Sequence, residues 1–182
     1  MQVTALIENR YARPKSLEAL VAMDRSVRWC FDAHRCAPLF QSIAPDGLSS
    51  ICVYQAPDAQ ALRNAARQLE VDPPPAIWGA TVHMAPGGTT QPLHQLEAGE
   101  RSFALVDRVF DRPMDFEEVQ AMEDEKSSCL TLHRVRFVCS FLSLDRLRMG
   151  CVYAAPDVES VRNAVRMTQL PFRSVNAAFV HS

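Results

Sequence analysis

Lysine is almost missing from this chain. Lys15 and Lys126 are its two occurrences, and the other 17 of the 19 basic residues are arginine, a bias that fits genomic base composition better than a function. The net charge of -2 provides no excess of positive charge for nucleic acid or an anionic membrane, so neither is expected as a partner. No run nears the ~18 apolar residues of a transmembrane helix. Met1-Gln2-Val3-Thr4 has no basic region followed by an apolar core, so no signal peptide is expected and a cytoplasmic location is. Gly-x-Ser-x-Gly, Cys-x-x-Cys, His-Glu-x-x-His and Rossmann patterns are all missing. Gly87-Gly88 precedes neither a lysine nor a helix start, which excludes a phosphate loop. What is left is 48% hydrophobic and 22% charged over 182 residues: an ordinary soluble globular composition, long enough for one domain or two small ones.

Six cysteines stand in this chain without an export signal, which points to free thiols, metal ligands or redox chemistry rather than a disulfide framework. Four of them belong to an internal repeat. Cys52-Val53-Tyr54-Gln55-Ala56-Pro57-Asp58 returns as Cys151-Val152-Tyr153-Ala154-Ala155-Pro156-Asp157, an offset of 99. The same offset aligns Arg13-Pro14 with Arg112-Pro113, Cys30 with Cys129, His34-Arg35 with His133-Arg134, and Arg63-Asn64-Ala65 with Arg162-Asn163-Ala164. Residues 5–82 hold 22 identities at this offset, where average composition gives roughly 5. We therefore expect a tandem duplication: a first repeat over 1–84, a linker over 85–101 without periodicity, and a second repeat over 102–182.

In the first repeat, an apolar, β-rich stretch at 3–10 reads as a strand. Leu17, Leu20, Val21, Val27, Cys30, Phe31 and His34 recur by threes and fours and predict a helix over 15–34. Leu39–Ala44 and Ile51–Ala56 flank Pro45-Asp46-Gly47 as a hairpin. Asp58 caps a second helix, and Ala76–Val82 is a last strand. The second repeat predicts strands at 103–110, 135–143, 148–155 and 174–180, with helices at 115–133 and 157–168. The expected fold is α+β: two tandem ferredoxin-like (βαββαβ) repeats that form an intramolecular pseudo-dimer resembling a dimeric α/β barrel, open to further homo-oligomerisation.

The candidate chemistry is built from repeated positions. Cys30 and His34 stand four apart on one helix, as do Cys129 and His133, and each pair can offer two ligands to a borderline metal such as zinc or nickel. Glu8 and Asp107 would add carboxylates at the first strand of each repeat, and Cys52 and Cys151 add thiols from a strand. Those two thiols also read as small apolar core residues. Tyr54 and Tyr153 share a strand face with them and read either as packing residues or as contacts to a bound cofactor or small molecule. His83, His94 and His181 lie at strand ends or in the linker, and Cys36 and Cys139 have no cysteine at the equivalent positions, Val135 and Phe40.

The hairpin and following helix, Val135 to Leu142, then Cys151 to Asp157, then Val161-Arg162 and Leu170-Pro171, resemble a family of small bacterial proteins of unknown function that has a nickel-binding member. Cys52 to Asp58 carries the same Cys-x-Tyr-x-Ala-Pro-Asp signature. The resemblance implies that this chain fuses two ferredoxin-like protomers, and that it binds nickel or another divalent transition metal. Many members carry an aromatic-x-His-Ser-aromatic run on the second strand. Here Cys139 stands at the histidine position in one repeat and Phe40 in the other.

Three functions are expected from this reading. The first is a non-catalytic protein binding a nickel-like transition metal. The second is a small-molecule pocket or enzyme of the dimeric α/β-barrel type. The third is a structural or regulatory interaction module.

Overall fold

The computed structural model describes residues 2–70, 74–85, 100–125 and 127–180. Most of the expected linker, together with Lys126, His94 and His181, lies outside the described residues.

The elements run β1 (Val3–Arg10), α1 (Leu17–Ala33), β2 (Ala37–Ile43), β3 (Ser49–Ala56), α2 (Ala59–Gln68), β4 (Ala76–Met84), β5 (Ser102–Val109), α3 (Phe116–Asp124), α4 (Ser127–Leu132), β6 (Arg136–Ser143), β7 (Arg148–Ala155), α5 (Val158–Thr168) and β8 (Ser174–Val180). Local sequence explains the helix starts. Ser16, Asp58 and Asp157 each accept a bond from a backbone N–H in the first turn, at 3.2, 2.7 and 2.7 Å. One helix was expected over 115–133, and two are found. The acidic run Glu123-Asp124-Glu125 followed by Ser127-Ser128 weakens the middle, since serine side chains compete for backbone groups.

The expected pair of ferredoxin-like repeats stacked as a pseudo-dimer is corrected by the strand order. The eight strands hydrogen-bond as one closed barrel, β1-β3-β2-β8-β5-β7-β6-β4. The pairs β1–β3, β1–β4, β2–β3, β5–β7 and β6–β7 are antiparallel. A period of two in the sequence tells which residues share a face but not which edge meets which strand. Closure removes the unpaired edge N–H and C=O groups that separate sheets would expose. By contact density the chain divides into two compact units, the first reaching to Ala80 and taking in the strand from Ala178, the second spanning Thr81–Ala177.

The strands β1, β3 and β2 of the first unit, and β5, β7 and β6 of the second, are largely buried on both faces. In the first, Ile7, Gln41 and Cys52 lie side by side across β1, β3 and β2 on the face covered by helices, while Glu8 and Ile51 occupy the opposite face. A register shift between Pro38 and Phe40, matched by one between Phe137 and Cys139, turns the strand so that Gln41 and Ser140 stand on the helix side. Backbone positions with positive φ also recur at the offset of 99: Arg35 and Arg134, Gly47 and Arg146, Glu70 and Gln169.

Gly47 has a second constraint besides its φ of +70. A Cβ there would stand 2.6 Å from the carbonyl oxygen of Lys15. Gly47→Ala is expected to destabilise the protein by about 1–3 kcal/mol, read from urea denaturation, because left-handed strain and a backbone clash add.

Candidate functional site

The side chains expected to bind metal separate in space. Cys30 is fully buried on α1 and its thiol donates to the Ala65 carbonyl on α2 at 3.6 Å. One turn on, His34 Nε2 meets Gln68 Oε1 at 3.0 Å. In the second unit, His133 Nε2 lies 3.3 Å from Met167 Sδ on α5, and Cys129 is half-buried on α4. The cysteine–histidine pairing of the first unit is therefore part of a helix–helix seam. Glu8 faces away from Cys52 across the sheet. Asp107 faces away from Cys151 and accepts from Arg173 Nε at 2.6 Å. Among the described residues no three His, Cys, Asp or Glu side chains gather as a metal site. Cys139 is buried beside Val152, on the opposite face from Cys151 and Tyr153.

The two tyrosines lead to groups that the sequence reading missed. Tyr54 donates to Asp24 Oδ1 at 3.1 Å, and Tyr153 donates to Glu123 Oε1 at 2.7 Å. Asp24 and Glu123 occupy equivalent positions on the first helix of each unit and are 4% and 6% exposed. A carboxylate so far from water needs a cation. The units supply it differently. Arg28, one helical turn beyond Asp24, reaches its Oδ2 at 2.9 Å. Glu123 instead receives Arg108 from β5 at 2.8 Å, and that guanidinium also donates to the Pro171 carbonyl at 3.0 Å. The signal was present in the sequence: Asp24 interrupts the apolar stripe of Leu20, Val27 and Phe31, and its equivalent is again an acid.

Asn9 is the first-unit equivalent of Arg108. Where the long Arg108 side chain fills the second unit, the first unit contains a cavity of about 340 Å³. Asp24, Tyr54, Cys52, Gln41 and Asn9 contribute its polar wall, and Leu20, Val27, Phe31 and Ala66 its apolar one. Gln41 is 1% exposed, and its Oε1 has no hydrogen-bond partner among the described residues. The counterpart in the second unit is a smaller hollow of about 210 Å³, lined by Arg108, Phe110 and Met114, that does not reach Tyr153 or Cys151. Burial pushes the Cys52 thiol up to about 12, assisted by the charge of Asp24 and opposed by a bond from Ser50. The Tyr54 hydroxyl is pushed well above its ordinary value, first by burial and then by the charges of Cys52 and Asp24. Both groups are neutral near pH 7.

No curated protein matches the chain. The model of the family described as nickel responsive protein SCO4226-like matches residues 105–177. Among solved structures, the chain is similar to the chlorite dismutase of Candidatus Nitrospira defluvii in complex with imidazole, at 11% identity over 98% of this chain and 90% of that one, with a TM-score of 0.53. It is similar to a heme-binding protein from Thermus thermophilus, at 11% identity over 100% and 92%, TM-score 0.51. It is also similar to an anthrone oxidase-like protein, at 11% identity over 100% and 92%, TM-score 0.51. These likenesses define the class of fold, a chlorite dismutase-like barrel. They correct the expected non-catalytic nickel-binding protein and its nickel cofactor. These three relatives in fold are named for chlorite, heme and anthrone, and the expected ligands lie on opposite sheet faces and in a helix seam. No described helix is long and apolar enough to cross a membrane.

Two outcomes are expected. Glu123→Gln strands Arg108 as an uncompensated buried cation and should lower stability by about 3–5 kcal/mol in urea denaturation. Asp24→Asn should cost less, because the Arg28 side chain is 35% exposed and keeps water as a partner. The second outcome concerns pH. The Cys52 thiol rises from an ordinary 9.0 to about 12 on folding, so the folded state holds that proton more tightly. Its contribution to stability is complete below pH 9.0 and is lost as pH rises toward about 12. Denaturation curves across that window should fall less steeply for Cys52→Ala than for the wild type.

Proposed function

We propose that the protein binds a small organic molecule in the cavity of its first unit. One observation carries this reading: the buried Gln41 carbonyl oxygen is without a partner among the described residues, in the wall of a cavity of about 340 Å³. Buried polar atoms are almost always satisfied, and one left open beside free volume is an acceptor waiting for a donor. The volume falls within the ~300–1,000 Å³ of ordinary ligand pockets, and apolar walls with a few converging polar groups are their usual lining. Tyr54 belongs to that lining. Tyr153 does not, since its hydroxyl lies beneath Arg108 on Glu123.

The heme named for the relative from Thermus thermophilus does not fit this cavity. A heme iron takes an axial histidine, thiolate, methionine or tyrosine. The described lining contains no histidine. The Cys52 thiol is held neutral, the Tyr54 hydroxyl is committed to Asp24 and the Tyr11 hydroxyl is hydrogen-bonded with Ser50 at 2.7 Å, which leaves the thioether of the exposed Met23.

A fragment screen by heteronuclear NMR tests the proposal. Binding fragments should shift the amides of Ile7, Gln41, Tyr54 and Ala66, and a fragment at a hundred times its Kd should stabilise the fold by about 2.7 kcal/mol. Ala66→Phe, which projects a ring into the cavity, should abolish those shifts. The proposal falls if fragments shift only residues of the second unit, or shift none.

A further inference from the structure

The second unit shows what the first unit's cavity is shaped to receive. Position by position, the differences that bear on charge and free volume include Asn9 for Arg108, Arg28 for Ser127, Asp24 for Glu123 and Gln41 for Ser140, together with Arg10 for Val109 and Lys15 for Met114. In the second unit, a slim alkyl stem from β5 crosses the cavity and delivers a planar, N–H-bearing head to the carboxylate. In the first unit, the strand residue is the short Asn9, whose amide donates sideways to Ser50 at 3.3 Å. The space of the arginine side chain is left open, over the same floor of cysteine and tyrosine.

The charges differ in a way that selects among ligands. The second unit balances Glu123 with Arg108. The first unit already balances Asp24 with Arg28 from the helix, and Arg10 and Lys15 add positive charge to the lining of the cavity. A cationic head entering the cavity would meet a neutralised carboxylate and the charges of Arg10 and Lys15. An anionic head would bring acceptors, with no donor, against the Gln41 oxygen and the Asp24 carboxylate. A neutral head that donates hydrogen bonds meets neither penalty, and it satisfies the Gln41 oxygen.

Resting on the reading of this cavity as a binding site, we infer that its ligand is a neutral molecule with a slim apolar stem and a planar N–H donor head, of the urea or carboxamide class. It stands where the side chain of Arg108 stands in the second unit, with its donors toward Gln41 and Asp24.

The matched pair n-butylurea and n-butylguanidinium isolates the charge at nearly constant shape. Titration of the full chain, followed by NMR shifts and calorimetry, should show n-butylurea binding about tenfold tighter, a difference of about 1.4 kcal/mol. Gln41→Leu should weaken n-butylurea. Arg28→Gln should reverse the preference, since it uncovers the Asp24 charge. Asn9→Arg should abolish binding of both by refilling the space; if that variant does not fold, the Gln41 and Arg28 variants decide. Equal or tighter binding of the guanidinium by the wild type, or no reversal in Arg28→Gln, overturns the inference and leaves the binding site standing. If neither compound shifts any residue of the first unit, the inference and the binding site both fall.

Discussion

A buried carboxylate held by a tyrosine hydroxyl is the constraint around which each unit is arranged. Asp24 and Glu123 sit on the sheet-facing side of a helix, where water cannot solvate them. Tyr54 and Tyr153 reach up from the central strand of the sheet and bond them at 3.1 and 2.7 Å. That bond ties helix to strand at one point and fixes the height of the helix above the sheet. It also places a negative charge in the interior, so a guanidinium must be found nearby, and the route taken by that guanidinium decides whether the interior is filled.

One methylene separates the two routes. The aspartate carboxylate stays close to the helix backbone, within reach of an arginine four residues on. The glutamate carboxylate extends further toward the sheet, where an arginine on the edge of β5 meets it. When the cation comes along the helix, as Arg28 does, its side chain is outside the cavity lining and the volume above Cys52 and Tyr54 stays open. When it comes from the strand, as Arg108 does, its stem occupies that volume and is 1% exposed. The floor is the same in both, a protonated thiol beside a protonated tyrosine. Its two buried hydroxyl or thiol groups bring no second negative charge against the carboxylate.

Much of the local structure was legible. The strands, the helix cap at Asp58 and the hairpin turn at Pro45-Asp46-Gly47 follow from alternation, cap chemistry and turn residues, all local signals. Closure into one barrel was not legible, because hydrogen bonding between strand edges leaves no periodic trace in side chains. The metal reading failed for a related reason. Cys30 and His34 do share a helix face, as their spacing requires, but that face meets α2, and Ala65 and Gln68 take up both groups. Spacing along one element cannot report what a second element brings to it. Asp24 and Glu123 were visible as acids at repeated positions, yet their meaning depended on Tyr54 and Tyr153, which are 30 residues distant along the chain.

The comparison of the two units separates the roles of residues that a single copy would leave joined. Tyrosine, thiol and carboxylate occur in both, so their presence follows from the need to hold a helix on a sheet and does not by itself indicate a ligand. The open volume and the unsatisfied Gln41 oxygen occur with Asn9 and Arg28. The second unit has the smaller hollow, a guanidinium that donates to Glu123 and Pro171, and at the position of Gln41 a Ser140 hydroxyl that is likewise without a partner among the described residues. A short strand residue with no arginine on the helix would leave the buried acid with no guanidinium, and arginines at both places would crowd two cations on one carboxylate. Only the two changes together keep the interior neutral while emptying it. A cavity formed by such a compensated exchange keeps its helix anchored and its charges balanced with no ligand present, which is the condition a binding site must meet to be stable before its ligand arrives.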